Sequence, residues 1–302
     1  MLGLRNTHFH VVKQLASVAR QFGKNWLMSE LYGCSGWQTN FEDHKRIGDW
    51  QALFGINLRC HHLSWYSMGG EAKRDYPASI SFQSSWYREY ERVETYFSRL
   101  HVLLQAGQPL CDVLVVHPVE SLWAQIHVGW ATWLRTVDSH VQHLEDIYRN
   151  VFTCLSCAQI DFDYGDEEHL ARRASIVPDS GTLAIGPMRY RVVVIAGMET
   201  MRATTVDLLR RFHDAGGRVI FAGPPPMHVN ALPSPAVEKL SNECIQVPLD
   251  EKEIALSVQA ASPASRMVRL DERGRGLLCQ ARRESQWATQ AHHAVEAIFN
   301  RS

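Results

Sequence analysis

The sequence predicts an α/β protein built on parallel sheets, and three observations carry that prediction. Segments with apolar residues at helical spacing alternate with short apolar runs of strand length. Glycine and proline punctuate the ends of these segments. The chain has 302 residues, 45% of them hydrophobic and 21% charged, enough for about two hydrophobic cores.

In order, His10–Phe22 reads as a helix on Val11, Val12, Leu15 and Val18, with Gly23 as its stop. Asn25–Ser29 is a short buried strand. Glu42–Phe54 is a helix with Ile47, Trp50, Leu53 and Phe54 on one side, and Ile56–Cys60 is a second strand. A long loop, Leu63–Phe82, precedes the helix Trp86–Ala106, which Gly107 closes. A second set begins after Gly107-Gln108-Pro109. It holds strand Asp112–Val116, helical stretches Ser121–Trp133 and Ser139–Ala158, strand Gln159–Tyr164 and helix Glu167–Ala174. Arg191–Ala196 is the strongest strand, followed by helix Thr204–Asp214 and strand Arg218–Ala222, which Gly223-Pro-Pro-Pro226 ends. Strand–helix–strand order of this kind predicts a doubly wound sheet. Helices near Ala236–Ser241 and Glu251–Ala260 follow, and Arg282–Ser302 is polar and helix-compatible.

Composition excludes several classes. Lys plus Arg is 31 and Asp plus Glu is 32, a net charge of −1 with no basic run, so no nucleic-acid partner is expected. No apolar stretch is long enough to span a membrane, and the start lacks a signal peptide's apolar core, so a cytoplasmic location is expected. Seven cysteines on so long a chain suit reduced thiols. Cys154 and Cys157 form a C-x-x-C inside an amphipathic helix with no second pair at zinc-ribbon spacing, which reads as buried thiols rather than a metal site. No phosphate-cradling glycine motif is present, so no cofactor is expected. Nine tryptophans, five of them between Trp26 and Trp86, are suited either to a core or to stacking on flat sugar faces.

The residues that could carry chemistry gather after the first two strands. Glu30 directly follows an apolar run, and a strand end fixes a carboxylate rigidly; a helix cap or loop salt bridge is the plainer reading. His61-His62 ends the second strand. Neighbouring strand residues point to opposite sides, so at most one faces a site there. Trp65, Tyr66, Arg74 and Asp75 lie in the long loop, where aromatic faces and hydrogen-bonding charges suit a sugar subsite. The alternative is a loop packed on its own aromatics. The acidic stretch Asp161–Glu168 reads as a strand end leading into a helix with an acidic first turn. Gly33-Cys34-Ser35-Gly36 lacks the order of a nucleophile elbow, and Met198, after the strongest strand, is no nucleophile.

Gln14–Gly23, Ser29-Glu30-Leu31-Tyr32-Gly33-Cys34-Ser35-Gly36-Trp37, Phe41-Glu42, Lys45, Gly48-Asp49-Trp50, Gly55–Leu58, His62-Leu63, Tyr66-Ser67 and Lys73–Pro77 resemble bacterial TIM-barrel glycoside hydrolases related to the alpha-L-rhamnosidase-like enzymes. The resemblance continues through Tyr96–Leu100, Asp112–Pro118 and Ser121–Trp123, and thins toward Gly216-Gly217. It implies Glu30 as one of two catalytic carboxylates, with Tyr32, Trp37, His62, Trp65, Tyr66, Arg74 and Asp75 around an oligosaccharide substrate. It also implies a partial (β/α) barrel over 1–107, a flavodoxin-like or class I glutamine amidotransferase-like domain over 108–262, and a truncated or divergent tail over 263–302. A closed barrel takes eight strands and about 250 residues. Two barrel strands precede the second domain here, so the chain reads as the end of a barrel whose other strands would hold the second carboxylate. The alternative is a non-catalytic carbohydrate-binding or interaction remnant. Strands shaped for a barrel interior would leave Trp26, Leu27, Ile56 and Leu58 exposed and predict self-association through unpaired edges.

Overall fold

The computed structural model describes residues 9–70, 80–107, 109–133, 135–178, 180–262, 267–269 and 276–278. The chain divides into two compact units. The first takes in Lys24–Pro109 with the helix residues up to Ala19, and includes a short antiparallel pair, Met267–Arg269 with Gly276–Leu278. The second takes in Arg20–Gly23 and Leu110–Arg266.

The first unit is built from helix α1 (Phe9–Gln21), strand β1 (Met28–Leu31), helix α2 (Phe41–Leu53), strand β2 (Leu58–His61) and helix α3 (Glu91–Gln105). A 3-10 turn, Tyr87–Tyr90, leads into α3. The two strands pair in parallel, with Glu30 opposite Cys60 and Leu31 opposite His61. A parallel pair needs a crossover, and α2 supplies it. Asn40 starts that helix with a capping box: its side chain accepts the Asp43 N–H, and Asp43 accepts the Asn40 N–H in return. Leu31 and Tyr32 pack on Ile47 of α2, while Ala16 and Ala19 of α1 pack on Leu27 and Ile56.

Several residues that carry the family resemblance are explained by helix packing. A Cβ on Gly48 would stand 2.1 Å from the Phe97 ring, so only glycine lets α3 approach α2 this closely. Asp49 is fully buried and takes hydrogen bonds from Lys45 Nζ at 2.9 Å and from the Tyr96 hydroxyl at 2.8 Å. A buried carboxylate paired from both helices fixes their relative rotation.

Both strands lie about two residues later than the apolar runs predict. Leu27 and Ile56 are buried under α1 before the strands begin, and the Asn57 side chain and backbone hold Leu27 there. The strands proper contain the more polar Ser29-Glu30 and Arg59-Cys60. Exposure of the barrel-type residues is accordingly divided. Trp26 and Leu58 are exposed, as is Met28, whereas Leu27 and Ile56 are not.

The second unit has a five-stranded, wholly parallel sheet. Its strands are β3 (Val113–Val116), β4 (Asp163–Gly165), β5 (Val192–Ala196), β6 (Arg218–Ala222) and β7 (Ile245–Val247), in the order β7-β6-β5-β3-β4. Helices α4 (Val119–Trp123), α5 (Ser139–Cys157), α6 (Glu167–Arg173), α7 (Ala203–Asp214), α8 (Ala236–Ser241) and α9 (Glu251–Ala261) connect and cover it. Every residue of β3, β4 and β5 is buried. Leu114, Val116, Val193, Ile195, Val219 and Phe221 meet Leu170 of α6, Leu208 and Phe212 of α7 and Leu240 of α8. The alternate residues face the side where α5 packs against α9.

Three details of the second unit depart from expectation. The helix expected over Ser121–Trp133 stops at Trp123. A turn containing Gly129 at φ +88° follows, then a small hairpin, Ala131–Thr132 with Arg135–Thr136. An antiparallel three-stranded sheet, Ala174–Val177, Thr182–Ile185 and Met188–Tyr190, intervenes before β5. Of the C-x-x-C pair, Cys154 is buried, with burial pushing its thiol up to about 12, while Cys157 is exposed. The helix expected over 282–302 lies outside the described residues.

Candidate active site

Side-chain alternation sorts the first unit's strands into two faces. Ser29, Leu31, Arg59 and His61 point toward the helices. Arg59 lies 3.8 Å over the Phe97 ring, and its guanidinium donates to Glu94 at 3.1 Å. His61 Nε2 is 2.9 Å from the Tyr90 hydroxyl and 3.1 Å from Glu94. The His61 hydrogen bond, more than the Arg59 charge, holds the Glu94 carboxyl below its usual range. This cluster ties β2 to α3 and is enclosed by it.

Met28, Glu30, Leu58 and Cys60 point the other way, to a face on which Met28, Glu30 and Leu58 stay exposed among the described residues. Glu30 and His62 stand at its carboxyl end. His62 Nε2 lies 3.8 Å from Glu30 Oε1, with the Glu30 side chain 68% exposed and that of His62 25% exposed. The His62 backbone continues the pairing by donating to the Leu31 carbonyl at 2.8 Å. Of the two histidines, His62 is therefore the one beside Glu30, and His61 is packed behind the strand.

The loops leaving these strand ends are strained. Tyr32 (φ 69°), Cys34 (φ 56°) and Leu63 (φ 54°) all hold the left-handed conformation that non-glycine residues avoid. Such positions cost roughly 1–3 kcal/mol each and collect at functional sites. Side chains hold the first loop in place: Ser35 Oγ donates to the Tyr32 carbonyl, and Thr39 Oγ1 donates to the Ser35 carbonyl at 2.7 Å.

The structure redistributes the expected substrate contacts. Tyr32 is a core residue: it is 5% exposed, its hydroxyl donates to the His44 carbonyl at 3.0 Å, and burial pushes its phenol up to about 12. Trp65 is 8% exposed, and Trp37 lies against one of its faces, the two rings parallel within 3° at 5.0 Å. Trp37 keeps 48% of its surface exposed and Tyr66 keeps 96%. Arg74 and Asp75 lie outside the described residues. A groove lined by Arg88, Glu89, Glu91, Arg92, Thr95, Tyr96 and Arg99 belongs to the start of α3, where charges of both signs alternate as on a solvated helix face.

The second unit has its own carboxylate at a strand end, one that sequence reasoning passed over. Glu199 follows β5 and is held on both oxygens, by Gln125 Nε2 at 2.7 Å and by His140 Nε2 at 2.7 Å. Gly197 precedes it at φ +64°, and a Cβ there would stand 2.8 Å from Ile147. That turn thus admits only glycine, and Met198 beside it, at the position a nucleophile would take, is buried. The acidic stretch before α6 is structural. Asp163 is fully buried between Arg20 and the Tyr190 hydroxyl, and Asp166 caps α6 through the His169 N–H. Glu167, whose carboxyl burial holds above its usual range, accepts the Arg202 N–H at 2.7 Å. Among the described residues, no group of three or more His, Cys, Asp or Glu side chains is placed to hold a metal ion, and no helix is long and apolar enough to cross a membrane.

The sequence matches no protein-family model and no curated protein. Among solved structures, the fold is similar to that of a rhamnosidase from Novosphingobium sp. PP1Y, at 18% identity and a TM-score of 0.57, over 87% of this chain and 25% of that one. A β-galactosidase from Bacillus circulans sp. alkalophilus matches with a TM-score of 0.47 and 15% identity, over 73% of this chain and 32% of that one. One from Rahnella sp. R3 matches with a TM-score of 0.46 and 16% identity, over 72% and 31%. The chain spans about a quarter of the length of the rhamnosidase. The likeness to the rhamnosidase is one of fold: an α/β chain with parallel sheets.

Proposed function

We propose that the first unit is part of a glycoside hydrolase (β/α) barrel and that Glu30 is one of its two catalytic carboxylates, acting on O-glycosyl bonds of an oligosaccharide. The observation that carries the reading is the placement of Glu30. It stands at the carboxyl end of a parallel strand, on the exposed face, beside His62 and between two strained loops. In β/α barrels this is the end where catalytic side chains gather. Hydrolysis takes two carboxylates, about 5–5.5 Å apart for retention or about 6.5–9.5 Å for inversion. In this reading the second comes from further barrel strands that pair with the edges of β1 and β2. Unpaired, the same edges favour self-association. The second unit is read as a flavodoxin-like accessory domain, because its sheet, numbered within itself, runs 2-1-3-4-5. The amidotransferase variant would place its nucleophile at Met198, which cannot serve.

A second reading, a non-catalytic carbohydrate-binding protein, draws support from the 68% exposure of Glu30, since a general acid is usually tuned by burial. A 2,4-dinitrophenyl and a phenyl glycoside of the same sugar separate the two. The first leaving group needs no proton, so a carboxylate acting as nucleophile or base suffices there; the second needs one and reports a carboxylate acting as acid. Hydrolysis of either above buffer that falls at least ~10²-fold in Glu30→Gln supports catalysis; saturable binding without hydrolysis of either supports the second reading.

A further inference from the structure

We propose that the sugar-stacking surface beside Glu30 is the outer face of Trp37, and that Trp65 is a positioning residue that holds that indole in place. The inference rests on reading the strand ends as a carbohydrate site, and it assigns different work to the two tryptophans.

Trp37 lies in the loop after β1, and Trp65 in the loop after β2. The two strands are neighbours in parallel, so both loops leave the same edge of the sheet. The rings are parallel, with centroids 5.0 Å apart and planes within 3°, so they stack with an offset, one of the arrangements aromatic pairs favour. The other aromatic pairs described in this unit, such as Phe41–Trp86, Trp50–Phe54 and Tyr96–Phe97, are T-shaped or tilted. An edge-to-face pair would present a ring edge to solvent. A parallel pair presents a whole indole face, and that face is what the C–H side of a pyranose ring covers.

Exposure separates the two roles. Trp65 is 8% exposed, one face taken by Trp37, and its carbonyl accepts the Gln83 side-chain amide at 2.7 Å. Trp37 is 48% exposed. Its loop is braced by the hydroxyls of Ser35 and Thr39 and by the buried Tyr32. A surface tryptophan without support would sample several rotamers and lose entropy on binding. Stacked on a buried indole, Trp37 meets a sugar ring with its orientation already set.

The test uses the full chain, with methyl α-L-rhamnopyranoside and methyl β-D-galactopyranoside as probes, followed by calorimetry and tryptophan emission. Saturable binding of at least one probe is expected. Trp37→Ala should raise its Kd about tenfold or more, with little change in the thermal midpoint. Trp65→Ala should weaken binding and also lower the midpoint, and Trp65→Phe should restore both. The near-ultraviolet circular dichroism of the stacked pair should vanish in either alanine variant. Wild-type affinity in Trp37→Ala, or no saturable binding of either probe to the unmodified chain, overturns the proposal. Hydrolysis that depends on Glu30 while Trp37→Ala binds normally would remove the platform alone and leave the catalytic reading standing.

Discussion

The two units place their parallel strands in opposite settings. In the second unit β3 and β5 are Val-Leu-Val-Val and Val-Val-Val-Ile-Ala, buried on both faces. In the first unit β1 and β2 are Met-Ser-Glu-Leu and Leu-Arg-Cys-His, and among the described residues Met28, Glu30 and Leu58 stay exposed on one face. Continuous apolar strands build a core. Strands that alternate toward an exposed face can hold a carboxylate and an imidazole there. In the proposed reading the second unit is scaffold and the first carries the chemistry.

Amide exchange should show the largest difference. Two strands alone are marginal, whereas five strands covered on both faces open only with the unit. The amides of Val193–Ile195 should outlast those of Ser29–Leu31 by orders of magnitude in native-state hydrogen exchange. Equal protection would mean that β1 and β2 are covered by something further, such as a second copy of the chain. Sedimentation of Trp26→Ser and Met28→Ser would then report that copy as a shift toward monomer.

Core truncation sharpens the same contrast. Phe212 is fully buried in the second unit, so Phe212→Ala should cost about 3–5 kcal/mol by denaturant unfolding. Met28 is 57% exposed, and Met28→Ser should stay within about 0.5 kcal/mol. A large loss at Met28 would show that the exposed face is packed in solution.

Gly48→Ala probes the tightest helix contact of the first unit. With Phe97 in the way, an added methyl should cost about 1–3 kcal/mol, and Phe97→Leu in the same chain should recover part of it.

The smallest effect expected is a pH dependence. Burial lowers both His44 and His101 from their usual 6.5, His101 to about 4. The unfolded chain therefore binds more protons between those values, and the stability these histidines contribute is present above about 6.5 and lost as pH falls toward 4. Glu167 in the second unit has the opposite sign. Its raised folded value favours folding below its usual 4.5 and loses that contribution as pH rises. Acidification from pH 7 to 4.5 should thus open the first unit before the second, and His101→Gln should flatten the trend in thermal unfolding.

How much of this was legible in the sequence follows the same division. Where burial alone decides an element, as in Arg218–Ala222, the apolar run and the strand coincide. In β1 and β2 the run misplaces the strand. Leu27 and Ile56 are core residues just outside them, and the strands proper mix polar and apolar residues. That Glu30 and His62 stand at strand ends was readable from their place after apolar runs. The Tyr32 and Trp65 assignments needed three dimensions, because no spacing rule says that His44 will take the Tyr32 hydroxyl or that one indole will cover another. Glu199 was overlooked because its partners, Gln125 and His140, lie 74 and 59 residues away in the chain.

The proposal places chemistry on the exposed face of the first unit rather than at the strand ends of the second. Two carboxylates are comparable, Glu30 near the carboxyl end of an open strand and Glu199 after a buried one. Hydrolysis of 2,4-dinitrophenyl and phenyl glycosides by Glu30→Gln and Glu199→Gln, measured side by side with the unmodified chain, compares them. The expected result is a loss of at least ~10²-fold on at least one of the two substrates in Glu30→Gln and near-normal turnover on both in Glu199→Gln. Equal losses, a loss confined to Glu199→Gln, or an unmodified chain no faster than buffer would contradict it.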